Sequence, residues 1–248
     1  MYYNEVIKEI ARLTETGRGF GSVQTLYRGE NECFPSISSG LYRYFLGHDA
    51  WNAKNDDEKE QFLFNYEKKI VQYASIFAGY GDEDYSVESK SCVEDFSSKQ
   101  WELLADVQHR GGITNFIDFT RDVNIALFFA CYSEADSPWI QNHLRDNNKD
   151  GRIILYHHVS MQPKHDVLNF PQVAYSRIQS GVLVRPRTYG IMDINESCID
   201  IITIPAQKKR EIWGYLAGLC NIRLLTIYSD LHGYVRNQHL LFPKLKKK

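Results

Sequence analysis

The stretch QHRGGITNFIDFTRDVNIALFFA, residues 108–130, passes from the end of one helix through a strand and into a second helix. Gly111 and Gly112 close a helix predicted over Trp101–His109 and launch a strand predicted over Ile113–Phe119. Asp122 then caps a helix over Val123–Tyr132, in which the run IALFFACY leaves nearly every face apolar. A helix with no polar face belongs in an interior, so a strand feeding a central, buried helix sets the architecture. Side chains alternate along a strand, which puts Thr114, Phe116, Asp118 and Thr120 on one face. Asp118 and Thr120 then stand at the strand's mouth. There the helix N-terminus offers free N–H groups and partial positive charge to an anion. The structural alternative, in which either residue simply caps the helix, stays open at this level.

Outward from that centre, Val6, Ile7, Ile10 and Leu13 predict an N-terminal helix at about 4–14, broken by Gly17, Gly19 and Gly21. A strand follows over Val23–Arg28, leading into LYRGE at residues 26–30. Phe62, Tyr66, Ile70, Tyr73 and Phe77 recur near helical spacing within a helix predicted over Asp57–Phe77, whose first turn is acidic. Residues 79–98 are poor in apolar groups and read as a loop or lid. Further strands are predicted over Arg152–Val159, Arg177–Val184 and Ile199–Ile204, and a helix over Ala206–Leu219. Helices and strands mix without a regular βαβ rhythm, which favours the α+β class. No composition shift marks a linker, so the expectation is a single domain over 1–248 with a basic tail at 244–248.

A net charge of −2 over 248 residues gives no bulk pull toward nucleic acid or anionic membrane. Five scattered cysteines without a CxxC pair argue against a zinc site or a disulfide framework. No signal peptide and no apolar run of spanning length is visible, so the expectation is a cytoplasmic protein without membrane contact. Walker, GxGxxG, HExxH and GxSxG motifs are absent, and adjacent His157 and His158 face opposite ways on a strand. No metal is predicted.

Arg28 carries a permanent charge and a rigid fork of donors behind an apolar strand. It needs an acid such as Glu30, or a ligand. In RIQSGVLVRP, Gln179 beside Gly181 suggests a backbone open to close approach, although a half-exposed sheet face has the same pattern.

Tyr27-Arg28-Gly29-Glu30, Gln108-His109 with Gly111, Thr114 with Asp118 and Thr120, the ALFFA helix, Gln179 with Gly181, and Ser229-Asp230-Leu231 with Gly233 occur in order. Together they resemble the FRG domain, a prokaryotic family named for an aromatic-Arg-Gly triplet. The resemblance spans roughly residues 20–240. Ile113, Asn115 and Phe119 depart from the family's Pro, Arg and Trp. The order of parts is also distantly similar to the ADP-ribosyltransferase fold: an Arg on a first strand, a hydroxyl-bearing strand into a buried helix, then a strand carrying Glu. Gly181 stands where that Glu would fall.

What the resemblance implies is a split mixed or antiparallel sheet with flanking helices and an NAD-binding cleft. Arg28, His109, Asp118 and Gln179 are its catalytic candidates; Arg28, Gly29, Glu30 and Thr120 would hold the dinucleotide. NAD would be the substrate of a transferase-like or NAD-cleaving enzyme in a toxin or phage-defence setting. The alternative is a non-catalytic module for a nucleotide or nucleic-acid end. A metal-free nuclease using His109 with Arg28 fits the residue types but lacks a second base.

Overall fold

The computed structural model describes residues 1–19, 24–79, 96–132, 149–159, 165–169 and 180–227. Its helices are α1 (Tyr2–Gly19), α2 (Gly40–Phe45), α3 (Asp49–Asn52), α4 (Asp56–Ala78), α5 (Ser98–His109), α6 (Val123–Cys131), α7 (Ala206–Gly218) and α8 (Leu224–Ile227). The strands are β1 (Gln24–Glu30), β2 (Ile37–Ser38), β3 (Ile117–Thr120), β4 (Gly151–His158), β5 (His165–Leu168), β6 (Gly181–Pro186), β7 (Ile191–Met192) and β8 (Ile199–Ile204). Six of them form one sheet in the order β5-β6-β3-β1-β4-β8, and β2 pairs with β7 in a separate ribbon. Every described pairing is antiparallel, which answers the α+β expectation on its antiparallel side.

Pleating sends alternate residues to opposite faces, and cross-strand partners share a face. One face presents Tyr27, Ile153, Leu155 and Ile204 to α6, α1 and α7. On the same face Leu183 of β6 meets Phe116, with Phe64 of α4 and Leu104 of α5. The opposite face carries Leu26, Phe119, Ile154, Tyr156, Val182 and Val184, closed by Ile37 and Met192 from the ribbon. The apolar run at 123–132 becomes a central helix as expected, with Ala126, Leu127, Phe128 and Ala130 fully buried. It reaches β1 so closely that a Cβ on Gly29 would lie 1.8 Å from the Ala126 carbonyl oxygen and 2.6 Å from the Ala130 nitrogen. Helix α4 is tied to β6 by Arg185, which donates to Glu67 at 2.8 and 3.1 Å and to Glu60 at 3.0 Å.

Several boundaries differ from those predicted. Helix α1 runs through Gly17 to Gly19 instead of stopping near 14. Tertiary packing outweighs glycine's poor propensity here, because a Cβ on Gly17 would meet the His157 ring at 2.2 Å. Strand β3 covers Ile117–Thr120, not Ile113–Phe119. The preceding residues spend their bonds off the ladder: the Thr114 carbonyl accepts from Leu41 N, and its hydroxyl accepts from Phe116 N. Asn55 and Ser97 supply capping boxes that start α4 and α5 one and three residues before the predicted points. Residues 80–95 of the predicted lid, 177–179 of the predicted strand and the tail at 244–248 lie outside the described residues.

Gly29→Ala forces a methyl group into the α6 backbone. It should destabilise the fold by about 2 kcal/mol or more, as overpacked interiors do, measured as a lower urea midpoint with an unchanged slope.

Candidate functional site

Strands β1 and β4 stay in register from Gln24↔His158 to Glu30↔Arg152, whereas β1 and β3 meet in register at Tyr27↔Thr120. Past that pair the two strands part, and Arg28 bridges the opening with its side chain. Its Nη1 donates to the Asp118 carbonyl oxygen at 2.9 Å, and its Nε donates to Glu30 Oε1 at 2.8 Å. Glu30 is buried, and its other oxygen accepts from Arg152 Nε at 2.7 Å. One carboxylate therefore aims two guanidiniums, and the acid partner foreseen for Arg28 is present. Arg28 Nη2 makes no hydrogen bond among the described residues.

The Asp118 carboxylate accepts from Gln108 Nε2 at 2.8 Å, while Gln108 Oε1 accepts from the Thr114 hydroxyl at 2.6 Å. This chain ties the end of α5 to the entrance of β3 and leaves Asp118 exposed. His109, the last residue of α5, lies in the field of Asp118. Burial lowers its imidazole below the ordinary value, opposed by the Asp118 and Asp106 carboxylates. Arg43 of α2 joins the same neighbourhood. Crowding by its surroundings and repulsion from Arg28 lower its pKa, against the pull of Glu30 and Asp118. Its Nη1 donates to the Ser38 carbonyl oxygen.

Arg28 and Glu30 thus meet the Asp118 main chain where β1 leaves β3, and the Asp118 carboxylate belongs with the end of α5. Thr120 does not open toward them: it is buried, shares a face with Tyr27, and its hydroxyl accepts from Asp122 N at 3.0 Å. Asp122 in turn caps α6 through Asn124 N. By alternation Asp118 projects from the Thr120 face while Arg28 projects from the other, so Arg28 reaches the Asp118 main chain, not its carboxylate. Space beside Gly29 is filled by α6. Gln179 lies outside the described residues, and Gly181 is the register partner of Thr120. Arg43, Gln108 and Arg152 were not singled out in advance for this role. Arg43 sits on a six-residue helix without a long periodic pattern, and Arg152 opens a strand whose register only the fold supplies. No group of three or more His, Cys, Asp or Glu side chains among the described residues is placed to hold a metal ion.

Residues 23–138 match the family model of the FRG domain. The chain carries an FRG domain. No curated protein and no solved structure matches the chain, so no relative's name speaks to an activity, a partner, or a toxin or phage-defence setting. The distant likeness to the ADP-ribosyltransferase fold is not borne out by either comparison. Within the FRG domain, the Tyr27-Arg28-Gly29 triplet divides its labour: Gly29 lets α6 approach, and Arg28 spans the gap between strands. Asn115, which departs from the family's Arg, is fully buried.

Arg28→Ala leaves Glu30 paired with Arg152, so the variant should fold with a loss of about 1 kcal/mol. His109 is held neutral by burial and gains charge only as pH drops below the usual imidazole range. Because its folded pKa is depressed, acidification through that range should cost stability. His109→Asn should flatten this slope, read by thermal melts between about pH 7.5 and 5.5.

Proposed function

We propose that the FRG domain binds a phosphate-bearing nucleotide at the opening between β1 and β3, with NAD the ligand favoured by the family likeness. The observation that carries this is the pair Arg28 and Arg43, guanidiniums close enough to repel each other and each with donors unspent among the described residues. Guanidinium forks match phosphate geometry, and charge-assisted bonds of this kind are about twice as strong as neutral ones. Two like charges held close favour an anion between them. Glu30 fixes Arg28 from behind, so little side-chain freedom remains to be lost on binding.

Cleavage of the nicotinamide bond needs negative charge beside an oxocarbenium-like centre. The cross-strand row Tyr27–Thr120–Gly181 holds no acid, in keeping with the Gly181 departure. Glu30 is engaged by Arg28 and Arg152. Asp118, exposed and oriented by Gln108, is the acid left to assist chemistry, and its presence beside His109 favours a second reading as a slow NAD-cleaving or transferase-like enzyme. Binding with slow turnover or none is the form supported best.

Calorimetry with NAD and ADP-ribose, paired with an assay for released nicotinamide, tests both. Wild-type protein should bind NAD, and Arg28→Ala should bind it at least ~10-fold more weakly, the loss of one charge-assisted pair. Asp118→Asn should keep the affinity and remove whatever nicotinamide release the wild type shows. Absence of NAD and ADP-ribose binding in the folded wild type would overturn the nucleotide reading.

A further inference from the structure

Among the described residues the sheet has two outer edges, β5 and β8. An open edge presents unpaired N–H and C=O groups, and folded proteins blunt it with short strands, charge, proline or a bulge. Strand β5 is blunted: it has four residues, and its Asp166 holds Arg187 at 2.6 Å. Strand β8 is not. It has six residues, IDIITI, and its register on β4 runs without a bulge from Tyr156↔Ile199 to Gly151↔Ile204. Its one charge, Asp200, is turned onto the sheet face, where the carboxylate lies 3.0 Å from His157 Nε2.

The register also fixes which backbone groups of β8 face outward. His157 N donates to the Cys198 carbonyl oxygen at 2.8 Å, so those two residues form a hydrogen-bonded pair. Such pairs alternate along an antiparallel ladder, which turns Asp200, Ile202 and Ile204 toward β4. The N–H and C=O groups of Ile201 and Thr203 therefore point away from the sheet. Neither N–H has a partner among the described residues. On that side the Tyr2 hydroxyl donates to the Thr203 carbonyl oxygen at 3.5 Å, which leaves the oxygen a second lone pair. Thr203 is exposed and Ile201 half-buried.

We propose that β8 is a dimerisation edge, pairing antiparallel with β8 of a second copy of this chain so that the sheet continues across a two-fold axis. Such a pairing must set outward-facing residues against outward-facing ones. With the axis at Ile202, Ile201 of each copy faces Thr203 of the other, and both N–H and C=O groups of these residues find partners. Ile202 then meets Ile202 of the second copy at the close separation of about 4.5 Å, a pair of β-branched side chains on the side of α1. An axis at Ile201 would instead set each Asp200 against an isoleucine. Charge favours the first arrangement. Its two Asp200 side chains are offset by four residues, about 13 Å along the strand, beyond the screening length at physiological salt. Each lies toward the end where α7 of the other copy begins, and there Lys208 stands over the Tyr2 ring beside Thr203. A second copy thus brings an isoleucine to Ile202 and a cation toward Asp200, which an arbitrary extended peptide does not.

Analytical ultracentrifugation of the full chain between about 1 and 100 µM, where small interfaces associate, tests the pairing. The wild type should pass from monomer to dimer over this range. Amide exchange at Ile201 and Thr203 should slow by about tenfold from the dilute to the concentrated end, while Asp200 and Ile202, already bonded to β4, stay unchanged. Thr203→Pro removes an N–H that makes no bond within the chain, a change that edge strands tolerate. It should keep the wild-type melting point and sediment as a monomer throughout. If that variant does not fold, exchange in the wild type decides alone. A wild type that stays monomeric at the top of the range overturns the proposal. So does a dimer in which Ile201 and Thr203 exchange as fast as in the monomer, or a folded Thr203→Pro that still dimerises. Slow exchange of both amides at every concentration marks an edge covered within the chain, and overturns it as well.

Discussion

The contact between Gly29 and the backbone of α6 is the constraint from which the rest of the arrangement follows. Ala126 and Ala130 sit one turn apart on α6 and bring its main chain onto β1 where the strand has no side chain. A central strand pinned to a central helix leaves its even-numbered residues, Arg28 and Glu30 among them, on the face away from that helix. The charged pair therefore escapes the main apolar core without leaving the middle of the sheet. Their surroundings are a strand junction, where backbone groups are available as partners, and that is how Arg28 comes to hold the Asp118 carbonyl oxygen.

Glu30 gives the site its electrostatic character. Buried acids persist when their lone pairs are all engaged, and here both oxygens accept from arginines of adjacent strands. Such an acid is a fixed support and a poor reagent. The separation of duties is chemical: an enclosed carboxylate that orients cations, and an exposed one, Asp118, held by an amide. Sites that bind anions without transforming them need the first kind alone.

Much of this was legible in the chain, and the failures have physical causes. The capped, wholly apolar helix after Asp122 and the strand over Ile199–Ile204 follow from local pattern, and both are present. Arg28 with Glu30 was readable because a permanent charge beside an apolar strand demands a partner. Thr120 was misplaced in function because alternation tells which residues share a face but not which face the next strand presents. Register decides that, and Tyr27↔Thr120 is a nonlocal fact. The short elements β2, α2 and β7 carry too few residues for any periodicity, yet α2 supplies Arg43.

The place of β1 in the sheet also bears on how the chain reaches this structure. The first strand made lies between β3 and β4, and Thr25 finds His157 across 132 positions of sequence. During synthesis β1 must wait for β3 at Ile117–Thr120 and then for β4 at Gly151–His158. Loops of that length close slowly, and an apolar strand that waits is open to wrong partners. Arg28 and Glu30, adjacent to Gly29 in the same strand, put charge on that waiting edge. The residues proposed to hold an anion in the folded domain thus also put charge where a waiting strand would otherwise be wholly apolar.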